Sequence, residues 1–210
     1  ADIYLAEQVS KKLGVQVEIQ QMAFDSLIAA LNANKVDMVI SGVNPTEERK
    51  KAVDFSEVYY TSKGIFVVNK DSEEIKSVAD LKNKKIGVQK GSTYETYAKE
   101  QLKMDDKNIQ ALTDVPSLLQ DLKNKKIDAV LIPDDVAKIA MNKYTDIKIS
   151  TFTADNDPEA TGMAIAFKKG KNDSNKELLE QVNAVIKEIQ DQKAFEKELD
   201  KYAKIAAQSE

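Results

Sequence analysis

An internal echo constrains this chain more than any other feature. Ser26-Leu27-Ile28 with Leu31, Lys35, Val36, Asp37, Val39 and Ile40 matches Ser117-Leu118-Leu119 with Leu122, Lys126, Ile127, Asp128, Val130 and Leu131. The offset is constant at about 91 positions, far longer than a solenoid repeat. Each copy sets apolar residues at helical spacing and then an apolar run too short for a full helix, the pattern of a helix feeding a buried strand. Two such units so far apart in 210 residues point to two similar α/β lobes, each with its own sheet.

The rest of the chain fits that frame. Ala1 to Leu13 carries Ile3, Ala6, Val9 and Leu13 on one helical face and stops at Gly14. Val15, Val17 and Ile19 alternate with polar residues and predict a half-buried strand. Val53 to Tyr60 reads as an irregular apolar segment. Strands are predicted at Gly64–Val68, Ile86–Val88, Ile109–Leu112, Ile127–Ile132, Ile147–Ser150 and Gly162–Phe167, with helices between them and two more at the end. Alternation of this kind implies an α/β fold with largely parallel sheets.

Three loops gather polar chemistry. The run Val36 to Ile40 stops at Ser41-Gly42, followed by Asn44, Pro45, a helix start at Thr46 and Arg49. A guanidinium is the side chain best shaped to grip a carboxylate with two hydrogen bonds, so this edge reads as half of a small-anion site. Gln89-Lys90-Gly91-Ser92-Thr93-Tyr94-Glu95 carries a capping box, Ser92 with Glu95. It should present the backbone N–H groups of Gly91 to Thr93 at a helix N-terminus, where anions are favoured. The echo sets Ile132-Pro133-Asp134-Asp135 opposite Ser41-Gly42-Val43-Asn44, and ligands of open α/β sheets bind beyond such strand ends. Blander readings stand beside these. Phe24 can pack in the core, Asp134 and Asp135 can cap the next helix, Tyr59 and Tyr60 read as core packing, and Lys123 to Lys126 as a solvated face.

Composition removes several function classes. Cysteine and histidine are both absent, which excludes disulfides, thiol nucleophiles, Ser-His or Cys-His catalysis and most zinc sites. Basic and acidic residues number 31 and 35, a net charge of −4, with no basic block. A small molecule is therefore expected rather than nucleic acid, and no tract is apolar enough for a membrane span.

The run Phe24-Asp25-x-Leu27-Ile28-x-Ala30-Leu31, then Asp37, Ser41-Gly42 to Thr46-x-Glu48-Arg49, Asp54-Phe55-Ser56 and Tyr59-Tyr60 resembles the polar amino-acid-binding proteins of ATP-binding-cassette importers. These are the extracellular solute-binding proteins of family 3, with the type 2 periplasmic-binding-protein fold. Ile86-Gly87-Val88-Gln89, Gly91-Ser92-Thr93 and Asp128-Ala129-Val130 extend the match across essentially the whole chain. The resemblance implies two lobes, 1–65 with 166–210 and 66–165, joined by crossing strands at Gly64–Val68 and Gly162–Phe167, and closing over one polar L-amino acid.

By resemblance, Arg49 clamps the α-carboxylate with Asn44, Ser92 and Thr93. Phe24 stacks on the side chain, the Ser41 and Gly42 backbone receives the α-ammonium, and Gln89 helps to read the side chain. The family usually has an acidic residue for the ammonium where Pro133 stands here, which leaves Asp134 as the candidate. It also begins with a strand ahead of the first helix seen here, a strand this sequence lacks. The implied protein is a monomer without cofactor or catalytic activity. A signal peptide would bring it to the periplasm or, as a lipoprotein, to the outer face of the membrane, where it delivers its ligand to an import permease. The alternatives are a ligand-sensing receptor domain and a dehydratase-like enzyme on the same scaffold.

Overall fold

A computed structural model describes residues 1–154, 161–170 and 175–208. Its helices are α1 (Asp2–Leu13), α2 (Leu27–Asn32), α3 (Glu47–Ala52), α4 (Thr93–Thr96), α5 (Val115–Lys123), α6 (Asp134–Lys143), α7 (Lys176–Asp191) and α8 (Ala194–Gln208). Its strands are β1 (Met38–Val39), β2 (Val53–Thr61), β3 (Gly64–Asn69), β4 (Ile86–Gln89), β5 (Ile109–Leu112), β6 (Ala129–Pro133), β7 (Ile147–Thr153) and β8 (Gly162–Lys168). Two compact units result: unit 1 is Ala1–Met22, Ser26–Thr61 and Gly162–Tyr202, and unit 2 is Ala23–Asp25, Ser62–Thr161 and Ala203–Glu210.

Unit 1 is built on a three-stranded sheet ordered β1-β8-β2. Both pairings are antiparallel, so the expectation of largely parallel sheets does not hold here. Residues 53–60, read from sequence as irregular, form most of the nine-residue strand β2. Register shifts between Phe55 and Val58 and between Val58 and Tyr60 interrupt its alternation, and that hid the strand. The core packs Leu5 and Val9 of α1 and Val182, Val185, Ile186 and Ile189 of α7 against Ile165 and Phe167 of β8.

The strand expected over Val15 to Ile19 does not form. Alternation creates a strand only where a neighbouring edge accepts its hydrogen bonds, and the sheet ends at β1. Val15 and Ile19 remain 52% and 56% exposed. With Val36, Met38, Ile40, Ile3 and Phe167 they border a trough of about 620 Å³.

Unit 2 holds a five-stranded mixed sheet ordered β5-β4-β6-β3-β7. β4 runs parallel to β5 and β6, whereas β3 runs antiparallel to β6 and β7. β3 is buried along its whole length because its side chains feed two cores, Phe66 and Val68 on one face and Ile65 and Val67 on the other. Parallel β4 and β6 bring Gln89 and Pro133, their carboxyl ends, to one sheet edge, and Gly64 at the start of β3 pairs with Pro133 there.

The echo is structural down to main-chain hydrogen bonds. After α2, the N–H groups of Ala33, Asn34 and Lys35 reach the carbonyls of Ala29, Leu31 and Ala30; after α5, those of Asn124, Lys125 and Lys126 reach Gln120, Leu122 and Asp121. The reversing residue is left-handed in both, Asn34 at φ 56° and Lys125 at φ 57°, as in a Schellman turn. Left-handed backbone disfavours a lysine by about 1 kcal/mol, and asparagine less. Lys125 also pairs with Asp71 at 2.7 Å, but both are exposed and the pair contributes little. Lys125→Gly is therefore expected to raise stability by about 0.5–1 kcal/mol in urea unfolding, with a smaller gain for Asn34→Gly; a loss in Lys125→Gly would contradict the strain assignment.

Candidate ligand-binding site

In unit 1 the loop leaving β1 is pinned from several sides. Gly42 takes φ 61° and donates its N–H to the Tyr59 hydroxyl at 3.1 Å. The backbone N–H of Ala164 donates to the Val43 carbonyl at 2.9 Å. Asn44 is buried, and its Nδ2 donates to the Gly162 carbonyl at 2.7 Å. Thr46 caps α3 by accepting the Arg49 N–H at 3.3 Å. The Arg49 guanidinium then folds back, and Nη1 donates to the Asn44 carbonyl at 3.0 Å. Ser41 lies exposed at the head of the loop. Burial pushes the Arg49 pKa down, opposed by the charge of Glu48; a guanidinium keeps its proton regardless. The outcome is a fixed, half-buried cation beside a rigid polar loop.

Tyr59 does more than pack. Its ring meets Phe195 edge-on at 5.1 Å, while its hydroxyl holds Gly42. Its sequence signal is indirect: a tyrosine on a buried strand normally finds a partner for its hydroxyl.

In unit 2 Gln89 ends β4, and its side chain donates to the Thr113 carbonyl at 3.2 Å. Ser92 and Thr93 are buried, and Ser92 caps α4 by accepting the Glu95 N–H. The expected display of N–H groups is altered. The Glu95 carboxylate reaches past Ser92 to accept the Gly91 N–H at 2.7 Å, and the Ser92 N–H donates to the Gln89 carbonyl. Gly91 and Ser92 thus spend their N–H groups internally, and Ser92 also gives its hydroxyl proton to Gln89 at 2.6 Å.

Phe24 opens a one-turn 3-10 helix with its side chain half-buried and is grouped with unit 2. Next to it Asp25 pairs with Lys90 at 2.9 Å. A Cβ on Gly91 would stand 2.9 Å from the Asp25 Cβ.

Asp134 is heavily engaged. It accepts the Lys63 N–H at 3.1 Å and the Lys138 ammonium at 3.0 Å, and its own N–H returns to the Lys63 carbonyl. Burial pushes its carboxyl up, but the bonds from Lys138 and Lys63 outweigh that and hold it below the ordinary value. Asp135, read from sequence as a possible cap of the next helix, accepts the Ser62 hydroxyl at 3.0 Å. Among the described residues no group of three or more His, Cys, Asp or Glu side chains is placed to hold a metal, and no helix is long and apolar enough to cross a membrane.

Residues 1–205 match the family model of bacterial extracellular solute-binding proteins, family 3. The chain belongs to that family. It is 40% identical over 201 residues to the arginine-binding extracellular protein ArtP of Bacillus subtilis, covering 93% of this chain and 74% of the relative. Among solved structures, the substrate-binding protein of an amino acid ABC transporter is 43% identical with a TM-score of 0.83, covering 95% of this chain and 85% of the other. A substrate-binding protein of Streptococcus pneumoniae bound to L-arginine is 32% identical with a TM-score of 0.88, covering 97% and 82%. The family solute-binding protein is extracellular, a binder rather than an enzyme, and the fold agrees with its neighbours' mixed α/β architecture.

Two substitutions test the site's rigidity. Tyr59→Phe deletes the acceptor for the Gly42 N–H and should cost about 1 kcal/mol in thermal unfolding. Gly91→Ala meets Asp25 at a φ of 75° and should cost about 1–3 kcal/mol. A wild-type melting temperature would contradict the Gly42 bond in Tyr59→Phe, or the close approach to Asp25 in Gly91→Ala.

Proposed function

We propose that this chain captures a free L-amino acid with a cationic side chain, arginine first among them, and delivers it to the membrane permease of an ATP-binding-cassette importer. The observation that carries the reading is Arg49: a guanidinium held by its own loop, through the Asn44 carbonyl and the Thr46 cap, at the carboxyl end of a buried strand. That is how a protein prepares donors for a carboxylate before the ligand arrives. The arginine named for ArtP and bound in the pneumococcal structure supports the choice of ligand.

In this reading Asn44, Ser92 and Thr93 assist Arg49, Ser41 and Gly42 line the ammonium end, and Phe24 and Gln89 meet the ligand side chain. The protein works as a monomer, in the periplasm or tethered by lipid to the outer face of the membrane. No specific observation favours the receptor-domain or dehydratase-like readings.

A thermal-shift panel of the twenty amino acids tests the ligand, since binding raises apparent stability; arginine should give the largest shift. In calorimetry Arg49→Ala should lose about thirtyfold or more in affinity, and Arg49→Lys should recover little, because an ammonium cannot grip a carboxylate bidentately. Unchanged affinity in Arg49→Ala would overturn the assignment.

A further inference from the structure

Strand β2 departs from regular pairing in a way that the roles above do not explain. From Phe55 to Tyr60 it advances five residues while its partner β8, from Ala166 to Met163, advances three. Two extra residues are accommodated, and the second shift, between Val58 and Tyr60, passes over Tyr59. Side chains meet the main-chain groups around these shifts. Asn183 Oδ1 accepts the Glu57 N–H at 2.8 Å, Gln190 Nε2 donates to the Val58 carbonyl at 2.8 Å, and Ser56 Oγ accepts the Ile165 N–H at 2.9 Å. Asn183 and Gln190 both belong to α7, which packs along β2. The irregular stretch is therefore held in place rather than frayed.

A bulge leaves its extra residue out of the ladder and re-aims the side chain, and bulges gather beside functional sites for that reason. Here the side chain is a tyrosine, 2% exposed, with its ring edge-on against Phe195. Its hydroxyl reaches 17 positions back along the chain to accept the Gly42 N–H at 3.1 Å. Gly42 takes φ 61°, so the bond fixes the residue of the loop whose backbone has the widest choice of other conformations. The next two residues are tied elsewhere, Val43 to Ala164 and Asn44 to Gly162, both on β8. Those two bonds hold the far side of the loop, and the Tyr59 hydroxyl holds the side next to Ser41.

We propose that Tyr59 is a positioning residue for ligand binding: the shifts in β2 aim its hydroxyl at Gly42, and that bond keeps the main chain of Ser41 and Gly42 in the conformation that meets the ligand. The inference rests on reading the chain as an amino-acid binder in which Ser41 and Gly42 line the ammonium end. The hydroxyl acts through Gly42 rather than on the ligand. Without it the half-buried Gly42 N–H turns to water in the empty protein, and the glycine is released to other conformations. The ligand must then restore the loop as it binds, at the expense of affinity.

Calorimetry with L-arginine on the full chain, at a temperature where every protein compared is folded, tests this. Tyr59→Phe keeps the ring and should weaken affinity about threefold to tenfold. Val182→Ala opens a cavity in the same core but leaves the hydroxyl in place; it should lower the melting temperature with affinity unchanged. Wild-type affinity in Tyr59→Phe, with its melting temperature lowered, overturns the proposal and makes the bond structural only. An equal loss of affinity in Val182→Ala also overturns it, since affinity would then follow stability in general. If the wild-type protein binds no amino acid, the proposed function fails at that first measurement; if it binds and Tyr59→Phe binds equally well, only the positioning role fails.

Discussion

Everything in this molecule depends on how a short helix hands the chain to a buried strand. The helix must end, reverse and enter the sheet within about six residues, and the Schellman turns at Asn34 and Lys125 accomplish it with the same three main-chain hydrogen bonds. Strand direction follows from that turn, and so does the sheet edge at which each strand stops. Polar loops are confined to that edge because the strand itself is buried, Val39 in one unit and Ala129 to Ile132 in the other.

The two units answer the same geometry with opposite charges. Unit 1 places a half-buried guanidinium, Arg49, after its echoed strand; unit 2 places a half-buried carboxylate, Asp135, after its own. The Arg49 guanidinium donates to a backbone carbonyl, and the Asp135 carboxylate accepts from a serine hydroxyl.

Much of this was legible in the sequence because it rests on local periodicity. The echo gave the helix-strand units and the places of the loops carrying Asn44, Arg49 and Asp134, and the capping box gave the loop of Ser92 and Thr93. What escaped depends on partners far along the chain. Val15 to Ile19 has the alternation of a strand but no neighbour to pair with, whereas β2 has the neighbour and lost its alternation to register shifts. The capping box was visible, but not that Glu95 would reach one residue further and occupy Gly91. Asp135 was legible only as a possible helix cap, because its bond to Ser62 reaches 73 positions along the chain.

The discontinuity of unit 1 bears on how the chain reaches its native state. Unit 2 is drawn almost entirely from the continuous stretch Ser62–Thr161, so its sheet can assemble from neighbouring elements as soon as that stretch is available. The sheet of unit 1 is stitched by β8, and the Asn44 bond to Gly162 spans 118 residues of chain. Such closure is slow because the loop entropy is lost before the contacts form. During synthesis the apolar faces of α1 and β2 therefore wait until β8 and α7 have emerged, and premature folding of the amino-terminal segment would have to be undone before the chain could finish.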